Sequence, residues 1–417
     1  MKIIFLSSLL LVAVASKANQ EGLTHQHGFH SECPLPKNPQ EVISCVITHH
    51  PNAKRASLEL DQSKALQGKA EQIPNPEIDV EAVFGKNSAS STDVGILQPI
   101  EWGGKRSSRK KMAESEYLRS DSELKTIQAD LILETVSNLY RLAQLEREKN
   151  INSQSITTFQ KLVRQQQGRP GLGPEQRVSL SVYRMALAEA KMKQSEILEE
   201  EKSLEHFFHV GTGHDIQELL PALPSLPKTW PEVTDTKNGT EASPAMLKSL
   251  AEISYFNAEL SSAQAEAWPS LKLGPMAKLE KGPMESENLY GFRLMMDLPV
   301  LNWNSGGKAY SQAGLKKSEM FVELTQTEEA HERVEQVRIY RSAVQALNEA
   351  PTSDEIDKEF SSNQKLASQG LIPSSLVVEF HRQSADLIRS RHGRELRAIQ
   401  SLWRVYKFDG RIFKESP

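Results

Sequence analysis

The chain has 417 residues, of which 38% are hydrophobic, 6% aromatic and 25% charged, and its formal net charge is −4. A charge so near neutral gives no electrostatic case for nucleic acid, so no nucleic-acid partner is expected. Few aromatics with much charge fit long helices with narrow apolar seams better than one thick globular core.

The first residues read as a secretory signal, 1–18. Lys2 supplies the positive start, Ile3 to Val14 a short apolar run, and Ala13-Val14-Ala15 or Ser16-Lys17-Ala18 a small-residue cleavage site. The run is too short to cross a bilayer as a helix, and no cysteine follows it closely, which argues against lipid attachment there. The expectation is an exported chain whose mature part has no transmembrane helix, so that any membrane insertion uses strands. The arm 19–38 carries His25, His27, His30 and Cys33, with His49-His50 further on. Imidazole and thiolate suit a soft or borderline metal. The spacing matches no closed structural zinc site, and a polar arm without metal is the plainer alternative. Cys33 and Cys45, the only cysteines, form a disulfide or stay as two thiols, and the sequence leaves the two equal.

From about residue 39 the chain reads in two halves. In the first, 39–210, His50-Pro51-Asn52-Ala53 opens a helix that runs to Pro74-Asn75-Pro76. Two short strands follow: Ile78, Val80, Ala82 and Phe84 alternate with Asp79, Glu81 and Val83, and Val94 to Ile100 is apolar, with a brief loop 85–92 between them. A helix from Gly104 to Gln166 would be about 90–95 Å long at 1.5 Å per residue. Its seam is Leu124, Ile127, Leu131, Leu139, Leu142 and Leu145, with a weak point at Asn150-Ile151-Asn152. A Gly/Pro-rich turn, Gly168 to Pro174, leads to a return helix that reads as short before Gly211-Thr212-Gly213. Residues 211–242 read as a linker.

The second half, 243–408, follows the same order. Ser243-Pro244-Ala245-Met246 opens a helix that runs to Pro269-Ser270. Leu271, Leu273 and Met276 form a strand interrupted by Gly274-Pro275. Tyr290, Phe292, Leu294, Met296 and Leu298 alternate with Gly291, Arg293, Met295 and Asp297, the clearest period-two pattern in the chain. That pattern suits a strand with lipid on one side and water on the other, although a half-buried strand of a soluble sheet has the same form. A second long helix with a Val334, Val337, Val344, Leu347 seam breaks at Pro351-Thr352-Ser353. The tip Gly370-Leu371-Ile372-Pro373 and another return helix end it, and 409–417 is a tail.

The halves share a marked stretch. Gln98-Pro99-Ile100-Glu101-Trp102-Gly103-Gly104-Lys105-Arg106 is answered by Leu298-Pro299-Val300-Leu301-Asn302-Trp303-Asn304-Ser305-Gly306-Gly307-Lys308. A recurrence of this kind indicates two equivalent units, and it makes Gly103, Gly104, Gly306 and Gly307 the strand-to-helix joints. Four strands cannot close a barrel, since single-chain barrels begin at about eight strands, and open sheet edges are not tolerated in lipid. If these strands enter a membrane, several copies must share one barrel. The fold class expected is mainly α with a small β part: a long coiled-coil α-barrel joined to a transmembrane β-barrel shared by several copies of the chain.

This arrangement resembles the TolC-like outer-membrane efflux proteins, over about Pro39 to Phe408. The paired Pro-to-Gly-Gly stretches, the strand entries at Pro74 and Pro269 and the glycine-leucine tips carry the resemblance. The stretch from Gln98 to Arg106 is most similar to the heavy-metal branch, the partners of cobalt-zinc-cadmium type exporters. The resemblance implies a homotrimer in the outer membrane of a Gram-negative bacterium, with a large periplasmic portion. It also implies a periplasmic adaptor and an inner-membrane efflux pump as partners, a passive exit role, and neither catalysis nor a cofactor. Tyr290, Phe292, Leu294 and Met296 would face outer-membrane lipid. Gly171, Leu172, Gly370 and Leu371 would meet the adaptor. Glu379 and Asp386, past the second tip, could narrow the tunnel as a gate, although most such acids are solvated helix faces. The chain departs from the family pattern in three places: its Gly/Pro-rich first tip, the short return helix between Pro174 and Gly211-Thr212-Gly213, and the brief loop 85–92 between the first strands.

No P-loop, Gly-x-Ser-x-Gly or His-Glu-x-x-His motif is present. The alternative reading is a soluble periplasmic coiled-coil adaptor or scaffold. Adaptors also carry helical hairpins, but one hairpin between compact β domains rather than two with two strand pairs.

Overall fold

A computed structural model of the chain describes residues 33–85, 90–171, 173–227, 229–236, 241–282 and 285–417. The signal segment and His25, His27, His30 and Leu172 lie outside the described residues. The order is α1 (Pro39–His49), α2 (Pro51–Glu71), β1 (Glu77–Phe84), β2 (Ser90–Ile100), α3 (Lys105–Gln167), α4 (Pro174–Thr212), α5 (Ile216–Leu219), α6 (Pro244–Glu266), β3 (Ser270–Lys281), β4 (Ser286–Asp297), α7 (Ser305–Glu349), α8 (Ser353–Ser368) and α9 (Ser374–Phe408).

Local chemistry sets the helix starts. Asn38 accepts from Glu41 N at 2.9 Å, and Ser243 Oγ accepts from Met246 N at 3.0 Å, each followed by a proline at the first helical position. Thr352 and Glu355 form a reciprocal cap at the start of α8. Proline explains the break before it: Pro351 has no N–H to continue α7. At the equivalent point of α3 the expected weakness is absent. Its 63 residues run unbroken through Asn150-Ile151-Asn152. Asn152 Nδ2 donates to Ala190 O and to Gln194 Oε1, both at 3.0 Å, so a poor helix former is held by its partner helix. Nor is the return helix short: α4 spans 39 residues and passes through Gly211 before Gly213 ends it in a left-handed conformation, φ 79.

The four strands form one antiparallel sheet in the order β1-β2-β3-β4. β2 is longer than its apolar run and starts at Ser90, which leaves a shorter connection than 85–92. β3 is not interrupted at Gly274-Pro275. Gly274 pairs with Arg293 and Pro275 with Phe292 on β4, while the pairing with β2 resumes on either side, at Gly95↔Met276 and Gln98↔Leu273. Glycine is required there, because a Cβ on Gly274 would lie 1.7 Å from Ile96 O.

The core lies along α3, where α1, α2, α4, α6 and α9 pack on it. Leu139, Leu142 and Leu145 join Val42, Val46, Ile197 and Phe208 in one cluster, and Val136 and Tyr140 join Ile399 and Trp403 in another. The second seam is only partly inward. Val337 and Leu347 are buried, but Val334 is 53% exposed. No helix among the described residues is long and apolar enough to cross a membrane.

Candidate functional site

The sheet separates two kinds of surface. Antiparallel partners point to the same side, so the register sorts the side chains into faces. Ile78 pairs with Ile96, Val80 with Val94, Ala277 with Tyr290, Pro275 with Phe292, Leu273 with Leu294 and Leu271 with Met296. These residues form one apolar face across all four strands. It is open: Ile78 is 75% exposed, Tyr290 81% and Phe292 80%. Leu294 and Met296 continue the same exposed row.

The opposite face is charged. Arg293 on β4 reaches Asp79 on β1 and lies 3.1 Å from Asp93 on β2, so one guanidinium bridges three strands. Lys272 Nζ is 2.6 Å from Glu77, and Lys278 Nζ is 2.5 Å from Glu280. The period-two pattern of β4 places Arg293 on its polar side. The acids that meet it come from two strands about 200 residues earlier, and only pairing reveals them. Both edges of the sheet, β1 and β4, have no strand partner among the described residues.

The joints between sheet and helices differ in the two halves. Gly103 and Gly104 lie between β2 and α3 with φ 65 and 82. A Cβ on Gly103 would meet the Trp268 ring at 2.3 Å. That ring stacks edge-on against Trp102, whose Nε1 donates to Pro269 O at 2.6 Å, and so ties the end of β2 to the start of β3. In the second half the left-handed residue is Asn304, φ 52, and Gly306 and Gly307 fall inside the first turn of α7. Asn304 Nδ2 donates to Ala263 O and Glu266 Oε2, anchoring that turn on α6.

At the far ends of the helices, Gly171 and Gly370 adopt φ 74 and 73, and nothing stands near the Cβ that either lacks. Leu371 is 67% exposed, and its N–H closes on Leu366 O at 3.1 Å. Both tips are open surface. Glu379 and Asp386 are exposed on α9, and Glu379 Oε1 accepts from Gln383 at 2.8 Å.

Several buried polar groups between tip and sheet gave no sequence signal, because they look like ordinary helix residues. Glu148 on α3 lies 2.8 Å from Arg141 Nη1 and 2.7 Å from His392 Nδ1 of α9. Burial works to raise its pKa, but the bonds from His392 and Arg141 prevail and hold the carboxyl at about 2. Gln144 donates to Glu395 at 3.2 Å, and Arg391 Nε lies 2.9 Å from the other Glu395 oxygen. Nearer the tip, His381 is 1% exposed among Phe159, Phe360 and Phe380, with Ser155 Oγ 2.9 Å from its Nδ1. Burial lowers this imidazole to about 4.

No family model matches the chain. Its sequence is 22% identical over 284 residues to the cobalt-zinc-cadmium resistance protein CzcC of Cupriavidus metallidurans, spanning 67% of this chain and 66% of that protein, just under two thirds of its length. Among solved structures, the CmeC outer membrane channel of Campylobacter jejuni is similar at a TM-score of 0.68 and 13% identity, over 91% of this chain and 87% of that one. The outer membrane protein VceC of Vibrio cholerae is similar at 0.63 and 14%, over 89% of this chain and 96% of that one. A membrane protein of Pseudomonas aeruginosa is similar at 0.67 and 13%, over 91% and 92%. Sheet, long helices and tips therefore share one architecture with these proteins, and the chain has the TolC-like fold of the outer-membrane channels.

Proposed function

We propose that the chain is the outer-membrane exit duct of a three-part export system. The observation that carries this reading is the sheet. One face is largely apolar across all four strands and open; the other is charged; and among the described residues the sheet ends in two unpaired edges. Lipid cannot tolerate such edges. Three copies, with β4 of each paired to β1 of the next, close a barrel whose apolar face meets lipid and whose charged face lines water. The two tandem units, 39–210 and 243–408, then each supply a strand pair and a helical hairpin, and the helices continue the tube into the periplasm. The tips at Gly171 and Gly370 are where an adaptor docks, and an inner-membrane pump drives transport through a duct that does no chemistry of its own.

The similarity to CzcC supports heavy-metal cations as cargo. Glu379 and Asp386, exposed past the second tip, are the residues that would narrow the passage. A soluble adaptor would leave the apolar sheet face, with Ile78, Tyr290 and Phe292, in water.

The test is fractionation of cells that carry the chain, with gels run before and after heating. The expected result is an outer-membrane band that runs as a trimer unheated and as a monomer after boiling. Recovery as a soluble monomer would overturn the reading.

A further inference from the structure

The first helix carries a cluster that the duct does not use. Cys45 and His49 are four residues apart on α1 and share one helix face. The segment before α1 brings Cys33 back to that face, where it is disulfide-bonded to Cys45 with a Cα separation of 6.0 Å. The two sulfurs and a ring nitrogen of His49 all lie within 4.8 Å of one another.

Other contacts hold these groups independently of the S–S bond. His49 Nδ1 lies 3.1 Å from Cys45 O and 2.7 Å from Thr48 Oγ1, which fixes the ring. His214, on the turn after α4, places Nε2 2.7 Å from Cys33 O and Nδ1 3.3 Å from Glu218 Oε2 of α5. This carboxylate–imidazole–carbonyl chain positions the backbone of Cys33. Val42 and Val46 of α1 are fully buried in the core, so the helix that bears Cys45 and His49 is anchored.

We propose that Cys33, Cys45 and His49 form a redox-switched site for one thiophilic divalent cation of the zinc or cadmium type. Two thiolates and an imidazole are a donor set for such ions, and they leave the fourth tetrahedral position to water or a further ligand. The disulfide form has no thiolate and binds no ion. A dithiol reductant opens the site: the S–S bond breaks, each sulfur gains one electron and one proton, and the reductant becomes a disulfide. Binding of the cation then releases the two thiol protons. The covalent bond and the metal are thus alternative clasps for the same segment. The site needs only α1, the residues before it and the turn after α4, so it stands or falls apart from the duct reading.

The test uses the full chain in detergent, reduced with a phosphine, kept anaerobic and titrated with Co²⁺ as a spectroscopic probe. Reduced protein should show a sulfur-to-cobalt charge-transfer band that saturates at one ion per chain and is displaced by Zn²⁺ or Cd²⁺. Oxidised protein and the C33S/C45S double variant should show none. His49→Ala should keep its helical circular dichroism and bind at least about tenfold more weakly, the lower end of the loss when even a supporting residue of a metal site is removed. Absence of the band in reduced protein overturns the proposal, as does unchanged affinity in H49A. A nitrogen-only cobalt spectrum also overturns it, since the ion would then sit on histidines elsewhere. So does a reduced chain that loses its helical signal without recovery on adding metal.

Discussion

At the scale of single residues, His381 makes the clearest pH prediction. Its folded value of about 4 lies below the ordinary 6.5 because burial among three phenylalanines disfavours the cation. As pH falls from 6.5 the unfolded chain takes up this proton while the folded chain resists until about 4. Stability from this residue is therefore complete above pH 6.5 and is lost towards pH 4, by roughly 3 kcal/mol. Urea midpoints should fall across that range in the parent and flatten in His381→Leu; a parent with no decline there would contradict the assignment. Glu148, held at about 2, acts in a lower window, with stability present above about 4.5 and lost as pH falls through 2. The joint glycines separate two effects. Gly104 has positive φ but open space, so Gly104→Ala should cost about 1–2 kcal/mol of left-handed strain. Gly103→Ala adds a clash with Trp268 and should cost clearly more, with a change in tryptophan fluorescence as that ring shifts. The buried Arg333–Asp409 pair, 2.7 Å from Nε to Oδ1, clasps α7 to the end of α9. Arg333→Leu leaves the buried Asp409 carboxylate unpaired and should cost about 3–5 kcal/mol in urea unfolding.

At the scale of elements, β4 offers a test of which face meets lipid. Phe292→Arg or Leu294→Arg would place a cation on the open apolar face and should lower barrel stability by about 2–4 kcal/mol if that face lies at mid-bilayer. Met295→Arg, one residue along on the charged face, should be tolerated. Equal trimer yields from all three variants would count against a lipid-facing side. The period-two alternation of β4 was legible because each side chain's surroundings repeat every second residue. β3 was legible only in part. Gly274-Pro275 looks like a break in isolation, and becomes strand because β2 approaches too closely for any side chain and β4 pairs on the other side. The contrast between α3 and α7–α8 has a similar cause. Proline breaks a helix through its own covalent structure, whereas Asn150-Ile151-Asn152 is only a weak preference that contacts with α4 override.

At the scale of the whole molecule, the tips lie one long helix away from the sheet, about 95 Å over the 63 residues of α3. Gly370→Val should therefore leave membrane insertion and trimers intact, because the site is exposed and remote from the strands. If the tip docks an adaptor, export should fail and crosslinks from Ser368 to that partner should vanish. Export that persists after the crosslink is lost would remove the tip as the coupling point.

Features that depend on neighbours along the chain were legible in the residues alone: the helix starts at prolines and caps, the break at Pro351 and the alternation of β4. Those features follow from backbone sterics and side-chain period, which act over a few residues. The remaining features depend on partners far away in sequence. Arg293 meets Asp79 and Asp93, His392 meets Glu148, three phenylalanines enclose His381, and Cys33 comes back to Cys45 and His49. The Gly-Gly stretches show the divide most plainly. Their sequences match, yet the left-handed residue is Gly103-Gly104 in one half and Asn304 in the other. The first turn must clear Trp268, whereas the second is pinned by the Asn304 side chain to α6.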